Sequence, residues 1–242
     1  MAQSRLVRED ALIAASVGPL EDTLAAIMDQ MLSSYERTRQ LTLPEQEATN
    51  QLIDAMNIGW AAGIGFGVSE FVAQKQDTSL GIRALTGYLR EHGASRARLV
   101  GRTTIRQITD QIVRGQRQGL TPVQIAKDLL NRVPAIALTR AKIIAATEIH
   151  SVIQFGAYQA ALASGKTLIK VWNTVEDDRV RDFGSAPGFS HRAMQGTSVA
   201  LERGFSVPHS NGTFESLLYP GDPAGSPGNI INCRCFVTYK EV

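Results

Sequence analysis

Apolar residues in the first two thirds of the chain recur at helical spacing. Leu20, Leu24, Ile27, Met28, Met31 and Leu32 stand three or four apart, which predicts an amphipathic helix beginning after Gly18-Pro19. Leu41-Thr42-Leu43-Pro44 breaks that pattern, and Pro44 with Glu45 and Glu47 suits the first turn of a second helix. Within it Gly59, Gly63 and Gly67 fall on one face, where they let another backbone approach closely. Tight helix packing explains them more simply than ligand or membrane contact. No strand precedes them and no lysine-hydroxyl pair follows, so they do not read as a nucleotide loop.

A third helical region covers residues 80–118, with Arg98, Arg102 and Arg106 on one face and Leu99, Ile105, Ile108 and Ile112 free to point inward. Gly119 ends it. Thr121-Pro122-Val123-Gln124 has the form of a capping box with proline at the first helical position, opening a short helix through Asn131. Pro134 then separates a longer helix over residues 139–164, stopped by Gly165. Beyond Gly165 the pattern changes. Residues 168–172 and 234–239 read as strands, and a short pair is expected around 198–201 and 214–218. Glycine, proline and asparagine dominate the segments between them. The expected class is α+β: a helical arm over residues 1–138, then a small loop-rich α+β domain over residues 139–242.

Composition narrows the class without naming a function. The 242 residues, 43% hydrophobic and 20% charged, are those of a soluble globular protein with length enough for a core. A net charge of +2 gives no general argument for binding polyanions. Charge is nonetheless concentrated: residues 83–117 carry eight arginines against Glu91 and Asp110. The face at Arg98, Arg102 and Arg106 could therefore contact DNA phosphates, although most basic helix faces are simply solvated. The most apolar stretch, residues 58–68, is about half the length of a bilayer span, so no stable membrane insertion is expected. The first twenty residues do not read as a secretory signal, which suits synthesis in a cytoplasm.

The polar chemistry gathers in the last third. Glu176-Asp177-Asp178-Arg179-Val180-Arg181-Asp182 alternates acid and base, and its carboxylates could bind a metal. A self-neutralising loop is the simpler explanation. Both cysteines, Cys233 and Cys235, lie two apart, a spacing that strains a disulfide and leaves reduced thiols. With His191 they form three candidate ligands for a structural zinc, to which His209, Asp178 or Asp222 could add a fourth. Alternatively the thiols are small buried hydrophobes beside a hydrogen-bonded histidine. The tight Cys-x-Cys spacing favours packing. No group to orient a catalytic Cys-His pair is visible, so catalysis ranks below both.

These residues occur in a characteristic order: Thr147-Glu148 on a helix, Lys170-Val171-Trp172 on a strand, Asp178 and Arg181, His191 through Gly196, Tyr219-Pro220-Gly221-Asp222-Pro223, and Asn232-Cys233-Arg234-Cys235. Over residues 140–239 this order resembles the phage Mu F-like family of minor head proteins. Two departures stand out. Ala146 replaces an arginine common in the family, and eight residues, 183–190, lie between Asp182 and His191 where the family is shorter. Asp177 and Arg181 fill the first two places of the family's Asp-x-x-x-Arg-x-x-His motif. The resemblance implies a non-enzymatic minor capsid protein of a tailed double-stranded DNA phage, needing no cofactor and located inside the capsid or at the portal vertex. It would support head assembly, DNA packaging or DNA delivery. Its implied partners are the portal protein, with the major capsid or scaffolding protein and non-specifically bound phage DNA behind it. The rival classes are a nucleic-acid-processing enzyme built on His191, Cys233 and Cys235, and a membrane-active ejection protein.

Overall fold

Helix α1 (Ala2–Thr38) starts well before Gly18-Pro19 and carries Pro19 in its interior. This computed structural model describes residues 2–38, 45–71, 78–184 and 188–242. The predicted break at Leu41 to Pro44 lies outside them. Proline removes one N–H and crowds the preceding turn, a cost of about 3 kcal/mol that tertiary contacts can exceed. Here such contacts hold the first turns. Arg5 pairs with Glu70 at 3.4 Å and lies over the Phe236 ring, and Glu9 is buried. The six apolar positions that predicted the helix are at most 1% exposed. Among the described residues, the Arg5–Ser34 stretch of α1, rather than residues 58–68, is the one long and apolar enough to cross a membrane by length and composition.

The remaining helices are α2 (Glu45–Phe71), α3 (Thr78–Tyr88), α4 (Ala94–Arg117) and α5 (Pro122–Ala163), with one π-helical turn at Leu89–Gly93 before α4. Helix α5 opens as predicted. The Thr121 backbone N–H donates to Gln124 Oε1 at 2.8 Å, and the Gln124 N–H donates back to Thr121 Oγ1 at 3.3 Å. It does not stop at Pro134, which sits inside it between buried Val133 and Ala137. The glycine stops are both as expected: Gly119 and Gly165 take positive φ, +75° and +67°. At Gly119 the Leu120 N–H reaches the Gly115 carbonyl at 3.1 Å and the Gly119 N–H reaches that of Gln116 at 3.0 Å.

The chain packs into two units. One contains residues 10–59 and 88–145 and is helical. Leu24, Leu52, Tyr88, Ile108 and Leu129 are among its buried side chains. Arg140 of α5 ties to α4 there, donating to Gln107 Oε1 at 3.1 Å and to Thr103 Oγ1 at 2.8 Å.

The other unit contains residues 1–9, 60–87 and 146–242. Its three-stranded antiparallel sheet has the order β2 (Ser198–Ala200), β1 (Leu168–Asn173), β5 (Phe236–Glu241). In the central strand Lys170 sits between Val199 and Tyr239. A separate hairpin joins β3 (Phe205–Pro208) and β4 (Phe214–Leu217). The strands expected near residues 198 and 214 therefore exist but do not pair with each other. The intervening β3, too short to stand out by alternation, takes β4 as its partner. A four-residue helix, α6 (Pro227–Ile230), precedes β5. The glycines of α2 act as expected in this unit. A Cβ at Gly63 would meet Val152 Cγ2 at 2.5 Å, and one at Gly156 would meet the Ile64 carbonyl carbon at 3.1 Å. The α2 and α5 backbones cross in direct contact.

Candidate functional site

Three ligand-bearing side chains converge under the loops of the second unit. His191 Nδ1 lies 3.5 Å from Cys233 Sγ and 3.5 Å from Cys235 Sγ, and the three groups all fall within 4.8 Å of one another. They are at most 3% exposed. His191 heads the 3₁₀ turn Arg192–Met194, held by its N–H to the Arg181 carbonyl at 3.1 Å. The cysteines sit on the chain entering β5, directly after Asn232, whose φ of +56° turns the backbone. Asparagine tolerates that conformation better than most residues.

The His191 ring is fixed on its far side. Its Nε2 meets Asn229 Oδ1 at 2.6 Å, while the Asn229 amide donates to Glu215 Oε2 at 2.7 Å. Since that amide orientation makes Oδ1 the acceptor, Nε2 carries the proton and Nδ1 presents its lone pair to the thiols. Trp172 stacks edge-on against His191 at 5.3 Å and against Phe205 at 5.2 Å. Burial pushes the Cys233 thiol up, but Cys235 and both neighbouring imidazoles, His191 and His150, outweigh it and hold the thiol well below its ordinary range. Cys235 is pushed up, by its hydrogen bond to Cys233 and by burial.

His150 is the neighbour that sequence reasoning missed. It projects from α5 against Cys233 and is 2% exposed. Its Nδ1 bonds Glu9 Oε1 at 2.8 Å, and Nε2 is buried without a hydrogen-bond partner. Burial lowers the His150 pKa, but Glu9 and Cys233 outweigh it and raise the value to about 9. Gly221 makes room for the ring, because a Cβ there would lie 3.1 Å from His150 Cδ2.

His150 belongs to a buried polar stripe on α5 formed by Thr147, His150, Ser151 and Gln154, at successive helical spacing. The stripe grips the terminal loops by their backbone. Thr147 Oγ1 accepts from the Asn232 N–H at 3.1 Å, Ser151 Oγ donates to the Gly221 carbonyl at 2.6 Å, and Gln154 Oε1 accepts from the Val237 N–H at 3.2 Å. Glu148, at 3% exposed, accepts from the Trp60 indole at 3.3 Å.

The other motif residues brace this core. Lys170 lies fully buried beneath it, donating to the Leu218 carbonyl at 2.6 Å with its ammonium 4.9 Å from the Tyr158 ring centre. Burial lowers its pKa to about 8 against the opposing pull of Asp222. Asp222 accepts from the Leu218 N–H at 2.8 Å and the Ala224 N–H at 2.9 Å, closing the turn that contains Pro220 and Gly221. Gly196 takes φ +76° at the entrance to β2. Arg181 donates to the Ile231 carbonyl, and Arg234 pairs with both oxygens of Asp177.

Not every candidate arrives. Asp178 is exposed, and Asp177 is the carboxylate that engages. His209 stacks on Phe189 at 4.7 Å and accepts from the Asn211 N–H, away from the thiols. Arg98, Arg102 and Arg106 are exposed on α4, in the other unit, whereas Arg96 is buried.

No curated protein and no solved structure matches the chain. The family model described as phage Mu protein F like protein matches residues 106–238, more than half of the chain and reaching further toward the N-terminus than residue 140. Its span takes in the end of α4, all of α5, β1, β2 and the first half of β5, the hairpin, His191, Cys233 and Cys235. By that match this chain belongs to the phage Mu protein F like family, a bacteriophage head morphogenesis family whose members are virion-associated.

Proposed function

We propose that the chain is a minor capsid protein, bound at the portal vertex in few copies and supporting assembly or DNA delivery without chemistry of its own. The observation that carries this reading is the family match combined with the burial of the match's most reactive groups. Head morphogenesis needs a surface, and a reaction on DNA needs an open site. His191, Cys233 and Cys235 are at most 3% exposed and beyond reach of a polymer in this conformation. Side chains suited to docking lie elsewhere: Ile58 is 79% exposed and Val123 60%. The segment before residue 139 would be the portal- or DNA-facing part. It is not detachable, because Glu9, Trp60, Gly63 and Gly67 all belong to the unit that holds His150 and Glu148.

Co-sedimentation of the purified full chain with rings of its phage's portal protein tests the reading. Ile58→Asp and Val123→Asp should weaken it, and Asp178→Asn should not. Absence of the chain from the portal pellet at low and moderate salt would remove the portal assignment. The exposed arginines of α4 supply a second contact of the same reading, with the phosphates of packaged DNA. A membrane-active role draws on the apolar length of α1, but Leu20, Leu24, Ile27 and Met28 are buried inside the protein and would have to leave it.

A further inference from the structure

We propose that His150, His191, Cys233 and Cys235 are the four ligands of a structural zinc ion, with Glu9 and Asn229 as the groups that orient the two imidazoles. Three observations converge on this. The first is spacing. Zn–S of about 2.3 Å and Zn–N of about 2.05 Å at tetrahedral angles put sulfur and nitrogen about 3.6 Å apart. His191 Nδ1 stands 3.5 Å from each sulfur. Two sulfur–nitrogen edges of a tetrahedron are thus already close to the required length, with the two sulfurs within 4.8 Å of each other.

Proton placement is the second observation. A metal-binding imidazole donates its other N–H to a carboxylate or carbonyl, which fixes the tautomer and aims the lone pair. Both histidines are arranged this way by different partners. His191 gives Nε2 to Asn229, itself held by Glu215, and His150 gives Nδ1 to Glu9. Each directs its other ring nitrogen toward the thiols, and any proton on that nitrogen must leave when the ion binds.

The third observation is the orphaned atom. His150 Nε2 is buried and has no hydrogen-bond partner, though leaving such a group unpaired carries a cost of about 1–3 kcal/mol. An ion beside Cys233 satisfies it. His150 is not within the 4.8 Å group formed by the other three but lies against Cys233, and it would have to move toward the ion to complete the set. Two thiolates and two neutral imidazoles are a zinc set, and binding releases to solvent the thiol protons and the His150 Nε2 proton that the free site holds. The ion would join α5, the 3₁₀ turn and the chain entering β5, in a unit whose strands are only three to six residues long. It also resolves the Cys-x-Cys spacing. The pair supplies one edge of the tetrahedron, and the other edge comes from histidines far away in sequence.

The full chain, produced in zinc-supplemented medium and purified under reducing conditions without chelator, should contain about one zinc per chain. Its X-ray absorption fine structure should show two sulfur ligands at about 2.3 Å and two nitrogen ligands at about 2.0–2.1 Å. His150→Ala and, more mildly, Glu9→Gln should lower zinc affinity at least tenfold, while His209→Ala leaves it unchanged. A protein that stays metal-free after zinc addition overturns the proposal. So does a zinc shell with a single nitrogen, a result that stands even if His150→Ala fails to fold. Unaltered affinity in a folded His150→Ala chain, or a loss in His209→Ala instead, also removes His150 from the site.

Discussion

Replacing Gly67 by alanine should separate helices α2 and α5, and the same change two residues away should do the opposite. A Cβ on Gly67 would lie 2.8 Å from the Ile153 carbonyl carbon and 3.0 Å from the Ala157 nitrogen, with the Ile153 oxygen closer still. Carbon atoms pack comfortably at about 3.5–4.0 Å, so the backbones must part by about 1 Å. All three atoms are backbone, and no rotamer change can relieve the contact. Overpacking costs about 1–3 kcal/mol, and a backbone obstacle belongs at the upper end. Gly65 faces solvent with nothing within 4 Å of its added Cβ. Alanine gains about 1 kcal/mol of helix propensity at either position, so that gain cancels in the comparison. Gly65→Ala should then be stabilised by about 1 kcal/mol and Gly67→Ala destabilised by about 2 kcal/mol. At about 2–4 °C per kcal/mol for a chain of this size, their melting temperatures should differ by about 6–12 °C. Thermal unfolding followed by circular dichroism measures it. Equal melting temperatures would refute the close crossing of α2 and α5.

Three further outcomes follow from particular side chains. Lys170 has a folded pKa of about 8 against an ordinary 10.5, so above pH 8 the unfolded chain holds more protons and stability should rise with pH. In urea unfolding between pH 8 and 9.5, the stability of the wild type relative to Lys170→Met should rise, and a flat difference would mean the ammonium is well solvated. Changing Arg98, Arg102 and Arg106 together to glutamine should reduce the slope of log affinity against log salt for double-stranded DNA, by about 0.9 for each phosphate no longer neutralised. An unchanged slope would assign DNA binding to another surface. Trp60→Phe keeps a buried aromatic but removes the donor to Glu148, and should cost about 1–3 kcal/mol in urea unfolding. A loss below about 0.5 kcal/mol would show that the indole bond contributes little.

The elements that sequence predicted well are those set by neighbouring residues. The capping box at Thr121 and the stops at Gly119 and Gly165 are complete within a few positions, and all three formed as expected. Pro19 and Pro134 misled because a proline's local cost was weighed without the contacts around it, such as those of Arg5 and Glu9 near one end of α1. Strand pairing misled for a related reason. Ser198–Ala200 and Phe214–Leu217 were recognisable one at a time, but their partners, Leu168–Asn173 and Phe205–Pro208, are chosen by the whole sheet.

The site divides along the same line. Cys-x-Cys and His191 stand in loops where polar residues draw attention, and the family order links them. His150 stands in a helix, where a lone histidine reads as a core residue, and Glu9 lies 141 positions from it in sequence. A usable signal was nevertheless present. Thr147, His150, Ser151 and Gln154 place four hydrogen-bonding side chains at i, i+3, i+4 and i+7 of a helix otherwise rich in alanine and isoleucine. In the apolar core of a folded unit such a stripe is unstable unless each member has a partner. Three of the four take theirs from the backbone of Asn232, Gly221 and Val237, around the two cysteines. His150 is satisfied at one nitrogen by a carboxylate and left open at the other, and Gln154 Nε2 is likewise buried without a hydrogen-bond partner. What sets His150 apart from Gln154 is its place against Cys233, so its open Nε2 is the atom that the proposed ion would engage.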